Sequence, residues 1–230
     1  MKLTSEELRN LYGHEYAKKH ANPPIARIYR LLNHIECNPN DIVVDFACGD
    51  GILLEAVHNK VKEYVGVDFS AEQIKLACER QRRLKISNST FCCQDIVEFC
   101  ERNQGKFDKA FAFDFVEHIY DDDFMLFFSA IHKTLNDHGV LYIHTPNSNF
   151  FLEKFKTKGI IRQFPEHIAV RSGEEYTCLL RLTGFANITI KHLSHYNILK
   201  CLQVFSYLPS IIGKYFQARL LIVCLKQSCP

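Results

Sequence analysis

The chain has 230 residues, 47% of them hydrophobic, which fits one domain with a single large core. Lysine and arginine total 28 against 26 acids, so the net charge of +2 excludes the strongly basic surface that binds nucleic-acid backbones. The start of the chain is acidic and polar, and no apolar run approaches the ~20 residues that span a bilayer. We therefore expect a cytoplasmic protein that does not bind nucleic acid.

The ten cysteines are expected to be reduced and mostly buried, because several fall inside apolar, strand-like runs. The chain has no Cys-x-x-Cys pair. Adjacent Cys92 and Cys93 would point to opposite faces of a strand, which is poor geometry for binding one metal ion. The cysteines therefore predict no structural metal site.

Short apolar runs alternate along the chain with segments of helical period. Residues 3 to 36 are predicted to form helices that break at Asn22-Pro23-Pro24 and cover the open end of a sheet. The predicted strands are Ile42 to Asp45, Glu63 to Asp68, Ser89 to Cys93, Lys109 to Phe113, Gly139 to Thr145, Asn187 to Leu193 and Arg219 to Leu225. The predicted helices are Gly51 to Asn59, Ala71 to Leu84, Ile96 to Asn103, Asp122 to Asn136 and Gly173 to Leu182. This order is typical of an α/β, doubly wound fold with a mostly parallel, seven-stranded sheet.

Two stretches do not fit this alternation. Residues 148 to 172 show no clear period. The stretch from Ile198 to Phe216 is unusually apolar, and it could line a substrate pocket, contact a membrane, form a dimer face or pack in the core. We expect a single domain over 1–230, with an N-terminal helical cover (1–40), a core (41–147) and a substrate-side region with the last two strands (148–230).

The segment from Val44 to Gly51 places small residues between a buried strand and a helix. Small side chains at Ala47, Gly49 and Gly51 let the backbone approach a ligand, and the helix start offers unpaired N–H groups. Dinucleotide-binding sheets carry a similar turn, but their third glycine is missing here. Asp45, inside the strand, would attract a cationic ligand and work against a pyrophosphate. A nicotinamide-dependent oxidoreductase is therefore the disfavoured rival.

Two further strands end next to acids. Asp68 ends the second strand, where a carboxylate can accept hydrogen bonds from both ribose hydroxyls of a ligand in the crevice of the sheet. Gln94-Asp95-Ile96 follows the third strand, where Asp95 could accept from an exocyclic amine. Three acids on three successive strand ends suit a cationic amino-acid nucleoside.

From about residue 42 to residue 146 these features resemble the S-adenosylmethionine (SAM)-dependent methyltransferases of the seven-strand, Rossmann-like class. The resemblance implies that the loop Asp45 to Gly51, including Ala47, Cys48 and Gly49, surrounds the methionine part of SAM. It also implies that Asp68 binds the ribose, and that Phe69 and Ile96 enclose the adenine beside Gln94 and Asp95. Ala47 departs from the family, which usually has glycine at this position.

Two aromatic residues complete the predicted cofactor contacts. Tyr16 lies where related enzymes bring an N-terminal aromatic side chain over the cofactor, although packing in the core is the alternative. Phe113 ends the fourth strand and is predicted to face the same crevice.

The wording Glu117-His118-Ile119 resembles the ubiquinone-pathway O-methyltransferases and a wider group of small-molecule methyltransferases. Methyl transfer to oxygen needs an in-line approach and removal of a hydroxyl proton, which imidazole groups can perform near neutral pH. His118 is therefore the first candidate base, and the alternative is that it only positions its loop. A second option is a divalent-ion site made by Asp114, Glu117 and His118, which requires that this segment be helical.

His167, in Pro165-Glu166-His167-Ile168, repeats the Glu-His pair and is the second candidate base, with an ordered structural histidine as the alternative. We predict a SAM-dependent methyltransferase that acts on a small molecule, at a hydroxyl oxygen, with a divalent metal ion as the less favoured option. N-methylation and SAM binding without turnover are the alternatives. Contact with a membrane and a homodimer are weaker expectations.

Overall fold

The structure is a computed structural model that describes residues 25–157, 159–160, 162, 168–194 and 213–226. The strands are β1 (Ile42–Phe46), β2 (Glu63–Asp68), β3 (Ser89–Cys93), β4 (Phe107–Phe113), β5 (Leu135–Pro146), β6 (Phe185–Leu193) and β7 (Arg219–Lys226). The helices are α1 (Ala26–Leu32), α2 (Ile52–Val57), α3 (Ala71–Leu84), α4 (Ile96–Arg102), α5 (Asp121–Thr134), α6 (Phe151–Thr157) and α7 (Gly173–Leu182). Short 3-10 turns lie at Val116–His118 and Lys214–Phe216.

The strands form one seven-stranded sheet with the order β3-β2-β1-β4-β5-β7-β6. β1 is parallel to β2 and β4, and β2 is parallel to β3, whereas β7 is antiparallel to β5 and β6. The predicted α/β fold with a seven-stranded sheet is therefore confirmed, and the sheet is mixed.

Contacts along the chain define two compact units. The first comprises Met1–Phe111 and Lys133–Gly139, and the second comprises Ala112–His132 and Val140–Pro230. The single domain expected over 1–230 stays a prediction.

The first unit contains the parallel strands. β1 and β2 are buried along nearly their whole length, as expected for apolar strands in the interior of a parallel sheet. α3 has the predicted bounds and begins after Ser70, whose hydroxyl accepts a hydrogen bond from the Gln73 N–H. α1 contacts α2 and buries Ile28 and Leu31. The rest of the predicted helical cover, residues 1–24, lies outside the described residues.

The second unit is built on β5, β7 and β6, which contribute fully buried residues such as Ile143 and Leu221. α7 contacts β6 and begins with a capping box, in which Ser172 and Glu175 each accept a hydrogen bond from the other's backbone N–H. Gly184 follows this helix with a φ of +95°, a conformation that favours glycine. The predicted bounds of α7 are therefore confirmed.

Several predicted ends are off by one or two residues, and two differences are larger. α6 was not predicted, because a helix of 7 residues is shorter than the window over which a helical period becomes visible. α5 ends at Thr134 rather than Asn136, and β5 begins at Leu135 rather than Gly139. α5 and β5 follow each other without a loop, and no glycine or proline marks the boundary between them.

Most of the apolar stretch from Ile198 to Phe216 lies outside the described residues, so its role as pocket, membrane contact or dimer face stays a prediction. At its described end, Phe216 packs against Phe151 of α6, with 5.7 Å between the ring centroids. In the part of the chain that the structure describes, no helix is long and apolar enough to cross a membrane.

Candidate functional site

The turn between β1 and α2 has three residues with positive φ: Ala47 (54°), Gly49 (54°) and Gly51 (72°). A side chain at Gly51 would place its Cβ 2.9 Å from the Phe91 ring, so both the space and the backbone angle require glycine. At Gly49 the atom nearest an added Cβ would be 3.9 Å away. Cys48 is buried, and burial raises the pKa of its thiol well above the ordinary value. The backbone of the turn is therefore tightly packed at Gly51 and open at Gly49.

Asp68, at the end of β2, holds this turn in place. Its Oδ2 accepts a hydrogen bond from the Gly49 N–H at 3.0 Å, and its Oδ1 accepts one from the Ser70 N–H at 2.9 Å. Burial raises the pKa of Asp68, and the backbone donors oppose that rise. Because an ionised carboxylate can accept about four hydrogen bonds, Asp68 can still accept from ligand hydroxyls.

Asp45 lies near the end of β1 and is buried. The Tyr64 hydroxyl of β2 donates a hydrogen bond to its Oδ2 at 2.6 Å. Burial is the main reason that the pKa of Asp45 rises to about 7; the nearby charge of Asp68 adds to the rise, and the bond from Tyr64 opposes it. Asp45 is therefore a buried acid that changes its charge near neutral pH.

The ends of β2 and β3 are joined by the Gln94 N–H, which donates to the Asp68 carbonyl oxygen at 3.0 Å. Asp95 caps α4, because its Oδ1 accepts from the Val97 N–H at 2.8 Å. Ile96 is buried, whereas the Phe69 side chain is 42% exposed. The first unit thus brings Asp45, the turn, Asp68 and the Gln94–Ile96 segment to the ends of neighbouring parallel strands.

Arg80 of α3 also fixes the turn, and sequence reasoning missed it. Its Nε donates to the Asp50 carbonyl oxygen at 3.0 Å, and its two terminal nitrogens pair with the Asp50 carboxylate at 2.6 Å and with Glu55 at 2.8 Å. In the sequence Arg80 belongs to a basic run that is typical of a solvated helix face, so nothing marked it as buried.

The contacts of Tyr16 and Phe113 with the cofactor stay predictions. Tyr16 lies outside the described residues. Phe113 belongs to the second unit, where its ring meets His144 edge-on with 5.9 Å between the centroids.

The second unit contains a cluster of charged groups after β4. Asp114 has a positive φ of 50°, and its carboxylate pairs with Arg219 of β7 and lies 3.5 Å from Nδ1 of His144. Sequence reasoning missed Arg219, because it follows Asp114 by 105 positions.

Glu117 is fully buried within this cluster. Its Oε2 accepts a hydrogen bond from the Thr145 hydroxyl at 3.1 Å, and Thr145 lies 3.3 Å from the Tyr176 hydroxyl. Its Oε1 lies 3.9 Å from an Arg219 nitrogen and has no hydrogen-bond donor among the described residues. Burial raises the pKa of Glu117; the charges of His118 and Arg219 oppose this rise and that of Asp114 supports it.

His118 ends a 3-10 turn, and the buried side chain of Arg171 holds this turn in place. The guanidinium of Arg171 donates to the carbonyl oxygens of Val116 at 2.9 Å and Ile119 at 2.8 Å, and it pairs with Asp121. The Ala169 N–H also donates to the Glu117 carbonyl oxygen at 3.1 Å. The loop that carries Glu117 and His118 therefore has a defined shape. His167, the second candidate base, lies outside the described residues.

The divalent-ion option for Asp114, Glu117 and His118 assumed a helix, and that assumption is wrong. Asp114 adopts a left-handed conformation, and only Val116–His118 turn, as a 3-10 helix. The Asp114 and Glu117 carboxylates have Arg219 between them as a cationic neighbour. Over the described ranges, no group of three or more acidic, histidine or cysteine side chains has the arrangement of a metal site.

The structure thus combines a seven-stranded α/β sheet with acids at or just after the ends of β1, β2 and β3. The family model described as "Methyltransferase domain" matches residues 15–190. The chain belongs to this family, and its fold is that of the seven-strand, Rossmann-like methyltransferases. This membership is inconsistent with the nicotinamide-dependent rival.

Individual relatives are distant. The cyclopropane-fatty-acyl-phospholipid synthase of Escherichia coli K12 is 28% identical over 127 residues, which are 54% of this chain and 31% of the synthase. The ubiquinone biosynthesis O-methyltransferase of Pelagibacter ubique is 26% identical over 167 residues, 68% of this chain and 66% of that protein. The chain thus spans between about a third and two thirds of the length of these two relatives.

A solved structure of Haemonchus contortus phosphoethanolamine N-methyltransferase 2, with phosphomonomethylethanolamine and S-adenosylhomocysteine bound, has a TM-score of 0.65. It is 18% identical, and the match covers 88% of this chain and 53% of that one. At this level of identity the likeness shows the shared fold alone.

We expect Ala47→Gly to stabilise the protein by about 0.5–1 kcal/mol, because relief of a positive φ exceeds the extra freedom that glycine gives the unfolded chain. Unfolding in urea measures the change. The matched control is Ala71→Gly at the exposed first position of α3, which adds the same freedom without relieving strain and should destabilise by a similar amount. Equal losses in the two variants would show that Ala47 is not strained.

We expect Glu117→Gln to raise the melting temperature by a few degrees at neutral pH. Because the folded-state pKa of Glu117 lies above its ordinary value of 4.5, its contribution is favourable below that pH and is lost as the pH rises through the folded-state pKa. Glutamine keeps the shape and does not ionise, so its advantage should grow from about pH 4.5 to pH 8. Circular dichroism melts measure this difference, and Glu79→Gln on the exposed face of α3 is the control. A pH-independent difference would contradict the burial of an ionisable group.

Proposed function

We propose that the first unit binds SAM at the turn after β1, with the predicted residues in the predicted roles. The methionine part would contact Asp45, Ala47, Cys48, Gly49 and Gly51, the ribose would bind Asp68, and the adenine would lie beside Phe69, Gln94, Asp95 and Ile96. SAM supplies an electrophilic methyl group on a sulfonium centre. The open backbone at Gly49 and the exposed Phe69 ring support this assignment.

The observation that carries this proposal is the absence of ion pairs at the three strand-end acids. Within the described residues, Asp45, Asp68 and Asp95 accept hydrogen bonds from a hydroxyl or from backbone N–H groups and not from lysine or arginine. By contrast, Asp41, a buried acid of the same unit, pairs with Lys109 at 2.9 Å. A cationic ligand with hydroxyl and amine donors fits acids that have no lysine or arginine partner among the described residues.

We expect Asp68→Asn to weaken SAM binding at least tenfold, because hydrogen bonds to a charged acceptor contribute roughly 1.5–3 kcal/mol each. Calorimetric titration with SAM, S-adenosylhomocysteine and NAD in parallel measures this effect. The exposed acid Asp137 provides the control Asp137→Asn, which should bind like the wild type. Unchanged affinity of Asp68→Asn, with the fold intact, would contradict the placement of the ribose.

We further propose that the acceptor is a small molecule and that the methyl group goes to a hydroxyl oxygen, with His118 as the general base. The support is that His118 lies on a turn fixed by Arg171, next to the buried charge of Glu117. The name of the Pelagibacter ubique relative, a ubiquinone biosynthesis O-methyltransferase, is consistent with this choice. A positioned base can speed such a transfer about 10²–10⁴-fold.

N-methylation is the second candidate, and the Oε1 atom of Glu117 is the observation that favours it. This buried oxygen has no hydrogen-bond donor among the described residues, and it could accept one from a substrate amine. An amine that arrives neutral needs no strong base, so this reaction would depend on Glu117 rather than on His118. SAM binding without turnover stays the third alternative.

We expect His118→Ala to lower turnover of a hydroxyl acceptor about 10²–10⁴-fold while leaving SAM affinity unchanged. Transfer of a labelled methyl group to a panel of phenols and primary amines measures both reactions. The exposed His34 gives the control variant His34→Ala, which should retain full activity. Full activity of His118→Ala toward phenols would overturn its role, and transfer to amines alone, lost in Glu117→Gln, would establish the N-methylation alternative.

A further inference from the structure

Tyr64 is a buried polar residue to which the sequence assigned no role. It lies in β2 with none of its surface exposed, and its hydroxyl donates to Oδ2 of Asp45 at 2.6 Å. A tyrosine in the interior of a sheet needs a partner for its hydroxyl, but phenylalanine would fill the same space without one. The polar group therefore has to be explained through Asp45.

Strand register directs Tyr64 at this acid. Val43 of β1 is paired with Tyr64 and Asp45 is paired with Gly66, and side chains two residues apart share a face. Gly66, which is paired with Asp45, has no side chain, and the Phe91 ring occupies the space there, since an added Cβ would lie 2.5 Å from that ring. Phe91 in turn packs edge-on against Tyr64, with 5.9 Å between the centroids. The phenol is thus fixed in the orientation that reaches Asp45.

Among the described residues, the other groups near Asp45 supply no positive charge. The charge of Asp68 raises the pKa of Asp45, and Asp45 in turn raises the pKa of the Cys48 thiol. Phe111, the partner of Asp45 in β4, is apolar. Arg80 pairs with Asp50 and Glu55. Over the described residues, Tyr64 is the donor that the structure gives Asp45.

We propose that Tyr64 is a positioning residue for cofactor binding, whose hydroxyl holds Asp45 ionised and oriented toward the cationic amino group of the methionine part of SAM. This inference rests on the proposed function in placing Asp45 beside that part of the cofactor. A phenol suits the task because it stabilises the carboxylate without neutralising it, whereas a lysine in its place would compete with the ligand.

The titration of Asp45 agrees with this role. The pKa of Asp45 is raised to about 7, mainly by burial, and the hydrogen bond from Tyr64 is the contribution that keeps it from lying higher. Without the bond the pKa would lie higher, so more of the protein would carry a neutral Asp45 at pH 7. The electrostatic attraction of Asp45 for an ammonium group would fall in proportion to its ionised fraction.

The test compares two ligands across pH 6 to 9. SAM carries the amino-acid part, and 5′-methylthioadenosine lacks it but keeps the adenosine. Tyr64→Phe should bind SAM about tenfold more weakly at pH 7, should approach wild-type affinity at high pH, and should bind 5′-methylthioadenosine unchanged. Because SAM titrates identically with both proteins, the difference between their pH profiles reports the protein.

Asp45→Asn separates this inference from the proposed function. If the Asp45→Asn variant binds SAM as tightly as the wild type, Asp45 does not contact the amino group and the proposed placement fails. If Asp45→Asn weakens SAM binding and Tyr64→Phe in that background adds nothing, Tyr64 acts through Asp45. Equal losses for both ligands in Tyr64→Phe, with no change in pH profile, would reduce Tyr64 to a packing residue and overturn the inference.

Site-specific 3-fluorotyrosine at position 64 keeps the test independent of folding defects. The replacement is nearly isosteric, and its more acidic hydroxyl is a stronger donor. It should move the midpoint of the SAM pH profile to lower pH, and an unmoved midpoint would contradict a role for the hydroxyl.

Discussion

The hydrogen bond from the Gly49 N–H to the Asp68 carboxylate is the contact on which the first unit depends. It joins the turn after β1 to the tip of β2, and it requires the turn to run through residues with positive φ. The same carboxylate accepts from the Ser70 N–H at the start of α3, so a single side chain sets the position of a turn and a helix. Burying this carboxylate costs free energy. The pKa of Asp68 is therefore raised even though backbone N–H groups donate hydrogen bonds to it.

A comparable constraint shapes the second unit, where a cation replaces the carboxylate. Arg171 donates to two carbonyl oxygens on either side of the Glu117–His118 pair, and an arginine is suited to this because its donors are fixed in one plane. The loop could not satisfy these carbonyls itself, since a 3-10 turn of 3 residues leaves most of its backbone groups unpaired. In both units, then, a buried charge supplies the hydrogen bonds that an irregular backbone lacks.

Sequence reasoning succeeded where the signal is local. Apolar runs located all seven strands, and the glycines of the turn and the acids at strand ends lie within a few residues of the structure they form. It failed for Tyr64, Arg80, Arg171 and Arg219, whose partners lie 19, 30, 50 and 105 residues away. A period-2 or period-3.6 pattern records which face is apolar, but it does not record which polar side chain crosses to another element. The short helix α6 failed for a different reason, which is its length.

The acids fall into two groups according to their partners: acids that support the fold and acids that are available to a ligand. Asp41, Asp50, Asp121 and Glu153 each have a lysine or arginine within 3 Å, and a pair of this kind satisfies the charge internally. Asp45 and Glu117 instead accept a hydrogen bond from a neutral hydroxyl, of Tyr64 and Thr145, and the Arg219 nitrogen nearest Glu117 is 3.9 Å away. Both acids have raised pKa values because burial dominates. A buried ionisable acid in this environment lowers stability at neutral pH, and one substitution, to asparagine or glutamine, would remove the cost. A protein under no functional demand would therefore lose the acid. One such acid lies in each unit, which is an argument that both acids serve ligands. Asp45 lies in the unit to which we assign the cofactor, and Glu117 lies in the unit to which we assign the acceptor.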